Sequence, residues 1–203
     1  MKKGAMVGLG CLAVIIILAV IVGISTMGTY NRLVAQEENV EQQWAQVENQ
    51  YQRRADLVPN LVATVKGYAA QESEVLQAVT ASRSQVGSMK ISPEILNNPA
   101  QFAQFQQAQA GLTSALSRLM VVVERYPDLK SNQNFLELQT QLEGTENRIA
   151  VARMRFNEAA QIYNTSIRQF PGNIFARIFG FQQKAYFESI EGSDKPPVVD
   201  FGD

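Results

Sequence analysis

Residues 52–69, "QRRADLVPNLVATVKGYA", set two arginines, an aspartate and a proline inside an otherwise even helical pattern of apolar residues. The reading of this stretch decides the fold: either the chain turns a corner here or one helix runs through. Pro59 has no amide hydrogen and is best tolerated in the first turn of a helix. Asp56 would then accept from the free amides of that turn, where a negative charge is also favoured. Arg53 and Arg54 fall in the last turn of the preceding helix, where cations suit exposed carbonyls. The stretch is therefore expected to end one helix near residue 56 and start another at 59. Arg54 also lies on the apolar stripe, so partial burial against a carboxylate is expected, because an unpaired guanidinium there is costly. A binding role for Arg53, Arg54 and Asp56 is the competing reading.

On either side of this stretch, apolar residues recur at steps of three and four. Tyr30, Leu33, Val40, Trp44, Val47 and Tyr51 make one stripe, with "QEENVEQQ" and "QVENQ" on the wet face. A second stripe runs through Leu61, Val62, Val65, Tyr68, Leu76, Val79 and Val86. Phe102, Phe105, Leu112, Leu116, Leu119, Val123 and Tyr126 make a third. The fourth and longest runs from Phe135 through Leu142, Ile149, Phe156 and Tyr163 to Phe170. No stretch alternates with period two, so the class is all-α. Residues 87–101, "GSMKISPEILNNPAQ", carry loop chemistry. In "YPDLKSNQNF", residues 126–135, Pro127 stops one helix and Ser131 or Asn132 caps the next. Each amphipathic helix must cover its stripe with neighbours. The expectation is an antiparallel up-and-down four-helix bundle over residues 28–170, with coiled-coil-like packing and helices at about 29–56, 59–87, 99–126 and 131–170.

Ahead of the bundle, after a four-residue tail "MKKG" (residues 1–4), residues 5–27 carry no charge. At about 1.5 Å per residue that run makes roughly 35 Å of helix, enough to cross a hydrocarbon core about 30 Å thick. A cleaved signal peptide would have a shorter apolar run followed by a small-residue cleavage site, and neither is seen. Cys11 precedes most of the apolar run instead of following it, which argues against a lipoprotein. Lys2 and Lys3 lie before the span and only Arg32 follows closely, so the positive-inside rule keeps the N-terminus cytoplasmic. The expected arrangement is thus a single-pass membrane protein with the C-terminal domain extracytoplasmic. So short a tail cannot house a signalling output.

Composition excludes much chemistry. The 203 residues are 46% hydrophobic and 18% charged, enough for a packed core. A formal charge of −1 offers no electrostatic footprint for nucleic acid. There is no histidine and a single cysteine, which removes His-based nucleophile systems, His-ligated zinc, thiolate clusters and an intrachain disulfide. No catalytic residues, metal or cofactor are expected.

In residues 143–164, Glu146 and Arg148 are candidate members of an anion or peptide site. Charges three and four apart on one helix are also what a solvated face carries. Thr145 and Glu72 fall near core stripes, where they set register or line a groove. An up-and-down order returns the chain to the bilayer near Phe170. The segment 171–190 then presents Phe175, Arg177, Phe179 and Phe181 as membrane-interfacial candidates, with Lys184 as a second cation. The alternatives are that it caps a neighbouring subunit or folds back as core. Residues 191–203 read as a flexible tail.

Together "YNRLV", Trp44, "QRRADLVPNLVATVKGYA", "YPDLKSNQNFLELQTQLEGTENRIAVARMRFNEAAQIYN" and "FPGNIFARIFGF" resemble the LemA family of bacterial membrane proteins. The resemblance implies a single-span protein with a four-helix bundle and no established catalytic activity. The expected function is a non-enzymatic structural, assembly or interaction unit of the cell envelope. Its expected partners are the lipid bilayer and either further copies of the chain or other envelope proteins. The alternative is a sensory or ligand-binding bundle that relays through a partner protein.

Overall fold

The computed structural model describes residues 2–89 and 92–188. Residues 189–190 of the aromatic-rich segment and the tail 191–203 lie outside the described residues. Every described element is helical: α1 Lys2–Tyr68, α2 Ser73–Ser88, a short 3-10 turn Pro93–Asn97, α3 Pro99–Val123, α4 Pro127–Lys130, α5 Gln133–Arg168 and α6 Gly172–Phe179.

The expected corner at Pro59 is corrected by the structure. α1 is one helix of 67 residues with Pro59 in its interior, about 100 Å long at 1.5 Å per residue. Arg53 and Arg54 therefore lie mid-helix, and Asp56 caps nothing: it is exposed and accepts from Gln52 Nε2 at 2.7 Å. The physical reason lies four residues before the proline. A proline leaves the carbonyl of residue i−4 without its amide donor. Here that carbonyl belongs to Ala55, a buried residue, and Arg83 of α2 donates its Nε–H to it at 3.3 Å. A side chain from another helix supplies the bond that Pro59 cannot make. The turn comes later, at residues 69–72, where Ala69 N–H closes on Val65 O at 2.8 Å and Glu72 N–H on Ala69 O at 3.1 Å. The helix expected at 59–87 is thus divided between the end of α1 and α2.

Pairings between helices fix their directions. Trp44 meets Phe102 at 5.8 Å between ring centroids, and Tyr51 meets Phe105 at 5.3 Å, so α3 runs with α1. Asn132, at the head of α5, donates to Tyr68 Oη at 2.9 Å, whereas Tyr163, near its end, donates to Glu37 Oε1 at 3.4 Å. α5 therefore runs against α1. Glu72, at the head of α2, accepts from Tyr126 Oη at 2.9 Å, which sets α2 against α3. Two of the helix starts carry asparagine caps: Asn98 accepts from Gln101 N–H at 3.2 Å and Asn132 from Phe135 N–H at 3.0 Å.

The buried apolar residues form two clusters. One gathers Trp44, Phe102, Phe105, Phe156 and Tyr163 toward the end nearer the apolar run; the other gathers Leu61, Val65, Leu112, Leu119 and Phe135 toward the far end. Burying each large side chain stabilises by roughly 1.5–3 kcal/mol. Most residues of the stripes read from sequence are buried; Val62 and Tyr126 are half-buried, and Tyr30, Tyr68 and Phe170 are exposed.

After α5 the chain passes a cis Phe170–Pro171 bond, makes α6 and ends that helix at Gly180, whose φ of +79° suits a residue without a side chain. Gly172 lies against the Ser166 carbonyl with no room for a Cβ. Residues 181–188 then climb back along α5 as an extended strap.

Arg83→Ala should destabilise the detergent-solubilised protein by about 1–2 kcal/mol in urea unfolding, the cost of a buried carbonyl left unsatisfied. In a Pro59→Ala background, where residue 59 regains its amide, the same change should cost less than about 0.5 kcal/mol. Equal costs in both backgrounds would disconnect Arg83 from the proline.

Candidate functional site

Between the two apolar clusters lies a polar layer built on Arg54. The Arg54 side chain is 2% exposed and reaches from α1 to both α3 and α5. One terminal nitrogen donates to Glu146 Oε1 at 2.7 Å and Thr113 Oγ1 at 2.9 Å. The other donates to Gln109 Oε1 at 2.5 Å and to the Gln109 carbonyl at 3.4 Å. The guanidinium carbon also stands 5.1 Å from the Tyr51 ring centroid. Burial raises the Tyr51 phenol above its ordinary value, with Arg153 and Arg54 opposing the shift. The expected partly buried arginine–carboxylate pair is therefore present, more deeply buried on its cationic side than expected. Its terminal donors are committed within the protein.

The other candidates scatter around this layer. Arg53 is exposed. Glu146 is 39% exposed and borders an open groove of about 460 Å³ with Thr113, Gln139, Glu143 and Asn147. Arg148 faces a separate groove of about 610 Å³ between α1 and α5, where Arg155 joins it among Gln42, Gln43, Gln46 and Gln50. Thr145 is buried and donates to the Gln141 carbonyl at 2.7 Å. Glu72 lies in the turn before α2, paired with Arg125 at 3.2 Å. Among the described residues no group of three or more Asp, Glu, Cys or His is gathered as a metal site would need.

The C-terminal segment divides in two. α6 stands beside the end of the apolar run: Tyr30 meets Phe179 at 4.8 Å and Phe181 at 5.9 Å between centroids. Arg177 and Phe179 are exposed, whereas Phe175 and Phe181 pack partly buried against the core. The strap is core. Phe187 is buried against Phe102, Phe156 and Trp44, with centroids 4.9, 5.6 and 6.1 Å apart. Lys184, grouped with Arg177 in the sequence reading, is corrected: its side chain is 2% exposed and donates to Glu37 Oε1 at 2.6 Å and Asn97 Oδ1 at 3.0 Å. Its ammonium lies 5.6 Å from the Tyr163 ring. Burial, with Glu37 beside it, pushes the Tyr163 phenol well above its ordinary value.

Two asparagines missed by the sequence reading hold the strap. Asn164 donates to the Lys184 carbonyl at 2.8 Å and accepts from the Lys184 amide at 2.9 Å. Asn157 does the same with Phe187, each bond 2.9 Å. Seven helical residues rise about 10.5 Å and three extended residues about 10 Å, so the two ladders match. The signal was available. Asparagine forms helices poorly, and two of them seven apart beside an apolar stripe call for an outside partner.

Residues 43–201 match the LemA family. The magnetosome protein MamQ 2 of Paramagnetospirillum magneticum is 31% identical over 205 residues, covering 93% of this chain and 75% of that protein. MamQ of Magnetospirillum gryphiswaldense is 29% identical over 84% of this chain and 68% of its own length. Protein LemA of Metamycoplasma hominis is 22% identical over 81% and 71%, respectively.

Glu146→Ala strands a buried guanidinium and should destabilise by about 2–3 kcal/mol, less than for a fully buried pair because the carboxylate is partly wet. Arg54→Met combined with Glu146→Leu should return stability to within about 1 kcal/mol of the parent. Urea midpoints of the three proteins check this. A double variant no more stable than Glu146→Ala would refute it.

Proposed function

Because the chain belongs to the LemA family, we propose that it works without catalysis, as a membrane-anchored helical unit of the bacterial cell envelope that holds other proteins, or further copies of itself, at a fixed height over the bilayer. The observation that carries this reading is the continuity of α1. One helix contains the apolar run and the wall of both core clusters, and ends at the far turn. A force or position applied at the membrane is therefore passed to the whole unit without a hinge. α1 is also the one helix among the described residues that is long and apolar enough to cross a membrane.

Several features support the finer parts of the reading. α1, α2, α3 and α5 alternate in direction and share a core, which fits an up-and-down four-helix bundle. Lys2 and Lys3 before the span favour a cytoplasmic N-terminus and an extracytoplasmic bundle. Val151, Met154 and Ile162 leave apolar surface exposed on α5, suited to lateral association. The Arg54 layer ties three helices together and offers a substrate nothing to react with.

The groove holding Arg148 and Arg155 favours one other reading, a bundle that receives a small anion between α1 and α5. Ligand-induced thermal stabilisation that disappears in Arg148→Ala would select this reading; no response to carboxylates or phosphates would remove it. The assembly reading expects crosslinking in intact membranes to give discrete oligomers or defined partner adducts by mass. A strictly monomeric, unpartnered chain would overturn it.

A further inference from the structure

We propose that α6 is a second membrane contact: a short helix that lies in the headgroup–acyl boundary of the same bilayer that holds residues 5–27, and so fixes the tilt and rotation of the bundle. The inference rests on the anchor reading above and goes beyond it, because a single continuous span still leaves α1 and the bundle free to tilt and rotate together in the bilayer.

The argument begins with level. The apolar run ends at Met27, and Tyr30 is less than one helical turn further along α1. Phe179 packs at a tilt against that tyrosine with ring centroids 4.8 Å apart. α6 is thus within about one turn of the plane at which α1 leaves the hydrocarbon.

Composition points the same way. Phe170, Ile174 and Ile178 recur every four residues, 80%, 47% and 67% exposed, and Phe179 is 51% exposed beside them. Residues four apart share one face of a helix, so Ile174 and Ile178 make an apolar edge on α6, and Phe170 is exposed in the turn that precedes it. None of the described residues covers that edge. The opposite side is committed to protein: Ala176 is buried, and Gly172 meets the Ser166 carbonyl. Arg177, exposed next to Ile178, is placed as an interfacial cation that reaches phosphates while its stem stays with the apolar residues.

The position is also held rigidly. Gly180 ends the helix, and from Lys184 on the strap is laddered to α5 through Asn164 and Asn157. α6 therefore cannot withdraw its apolar edge into the bundle without breaking those bonds.

The test uses the full chain with Cys11→Ser as background, reconstituted into vesicles of phosphatidylethanolamine and phosphatidylglycerol. A spin label is placed singly at Ile178→Cys, Phe170→Cys, Val20→Cys in the run and Val121→Cys at the far end. Collision with oxygen is compared with collision with a water-soluble nickel chelate. Labels at 178 and 170 should favour oxygen several-fold over the label at 121 and approach that at 20. If 20 is in lipid while 178 and 170 behave like 121, α6 is not a membrane contact and the anchor stands. If 20 is itself water-exposed, the anchor reading falls and takes this inference with it. Spin–spin broadening at 178 that fades on dilution with unlabelled protein would assign the edge to a second copy and overturn the proposal.

Discussion

The bond from Arg83 to the Ala55 carbonyl is small, yet the architecture depends on it. A proline deep in a helix removes one backbone bond and crowds the carbonyl four residues earlier, which ordinarily kinks or ends the helix. Here the stranded carbonyl sits against α2, and that neighbour supplies a donor. As a result the helix that carries the apolar run also carries the far half of the core. Had the chain turned at Pro59, the far cluster would have lost Leu61 and Val65 from α1, and the Arg54 layer would have stood at the mouth of a corner. The continuous helix makes it a mid-height layer instead.

That layer has a consequence for packing. Helix faces rich in glutamine and apolar residues at steps of three and four are self-similar, so a shift by one turn would keep most apolar contacts. A shift of α3 or α5 past α1 would part Arg54 from Gln109, Thr113 or Glu146 and leave a guanidinium buried without its partners. The penalty for that loss greatly exceeds the net gain from the layer in its native register. Arg54 is therefore best understood as selecting one register over its neighbours, with little net contribution to stability.

The sequence made the helical class, the stripes and the cap of α5, as one of Ser131 and Asn132, legible, because those depend on spacing and on local backbone chemistry. It also placed Arg54 against a carboxylate, since a cation on an apolar stripe has few other fates. Two features were not legible. The continuity of α1 past Pro59 turns on a donor 24 positions along from the proline, and no local rule reveals that Arg83 will stand there. Lys184 was assigned to an interface by its aromatic neighbours, because composition does not tell an outward cation from an inward one. What fixes Lys184 is Glu37, which is far off in sequence and brought near only by the antiparallel return of α5.

Among the described residues two ion pairs with a buried cation, Arg54–Glu146 and Lys184–Glu37, each have one member on α1. Glu37 and Arg54 are separated by about 25 Å of helix, and each joins α1 to an element that arrives from elsewhere in the chain. At the Arg54 level these are α3 and α5; at the Glu37 level it is the strap, with α5 held by Asn164. In both pairs the cation is buried and the carboxylate keeps contact with water, 39% exposed at Glu146 and 28% at Glu37. This arrangement limits the cost of desolvation to one partner while still penalising any geometry that leaves the cation alone. It follows that the strap is specified as firmly as the helices are. A segment fixed in this way transmits the orientation of α5 to α6, and α6 occupies the level at which the apolar run ends. The same polar contacts that choose the register of the core thereby choose which face of the unit is turned toward the end of that run.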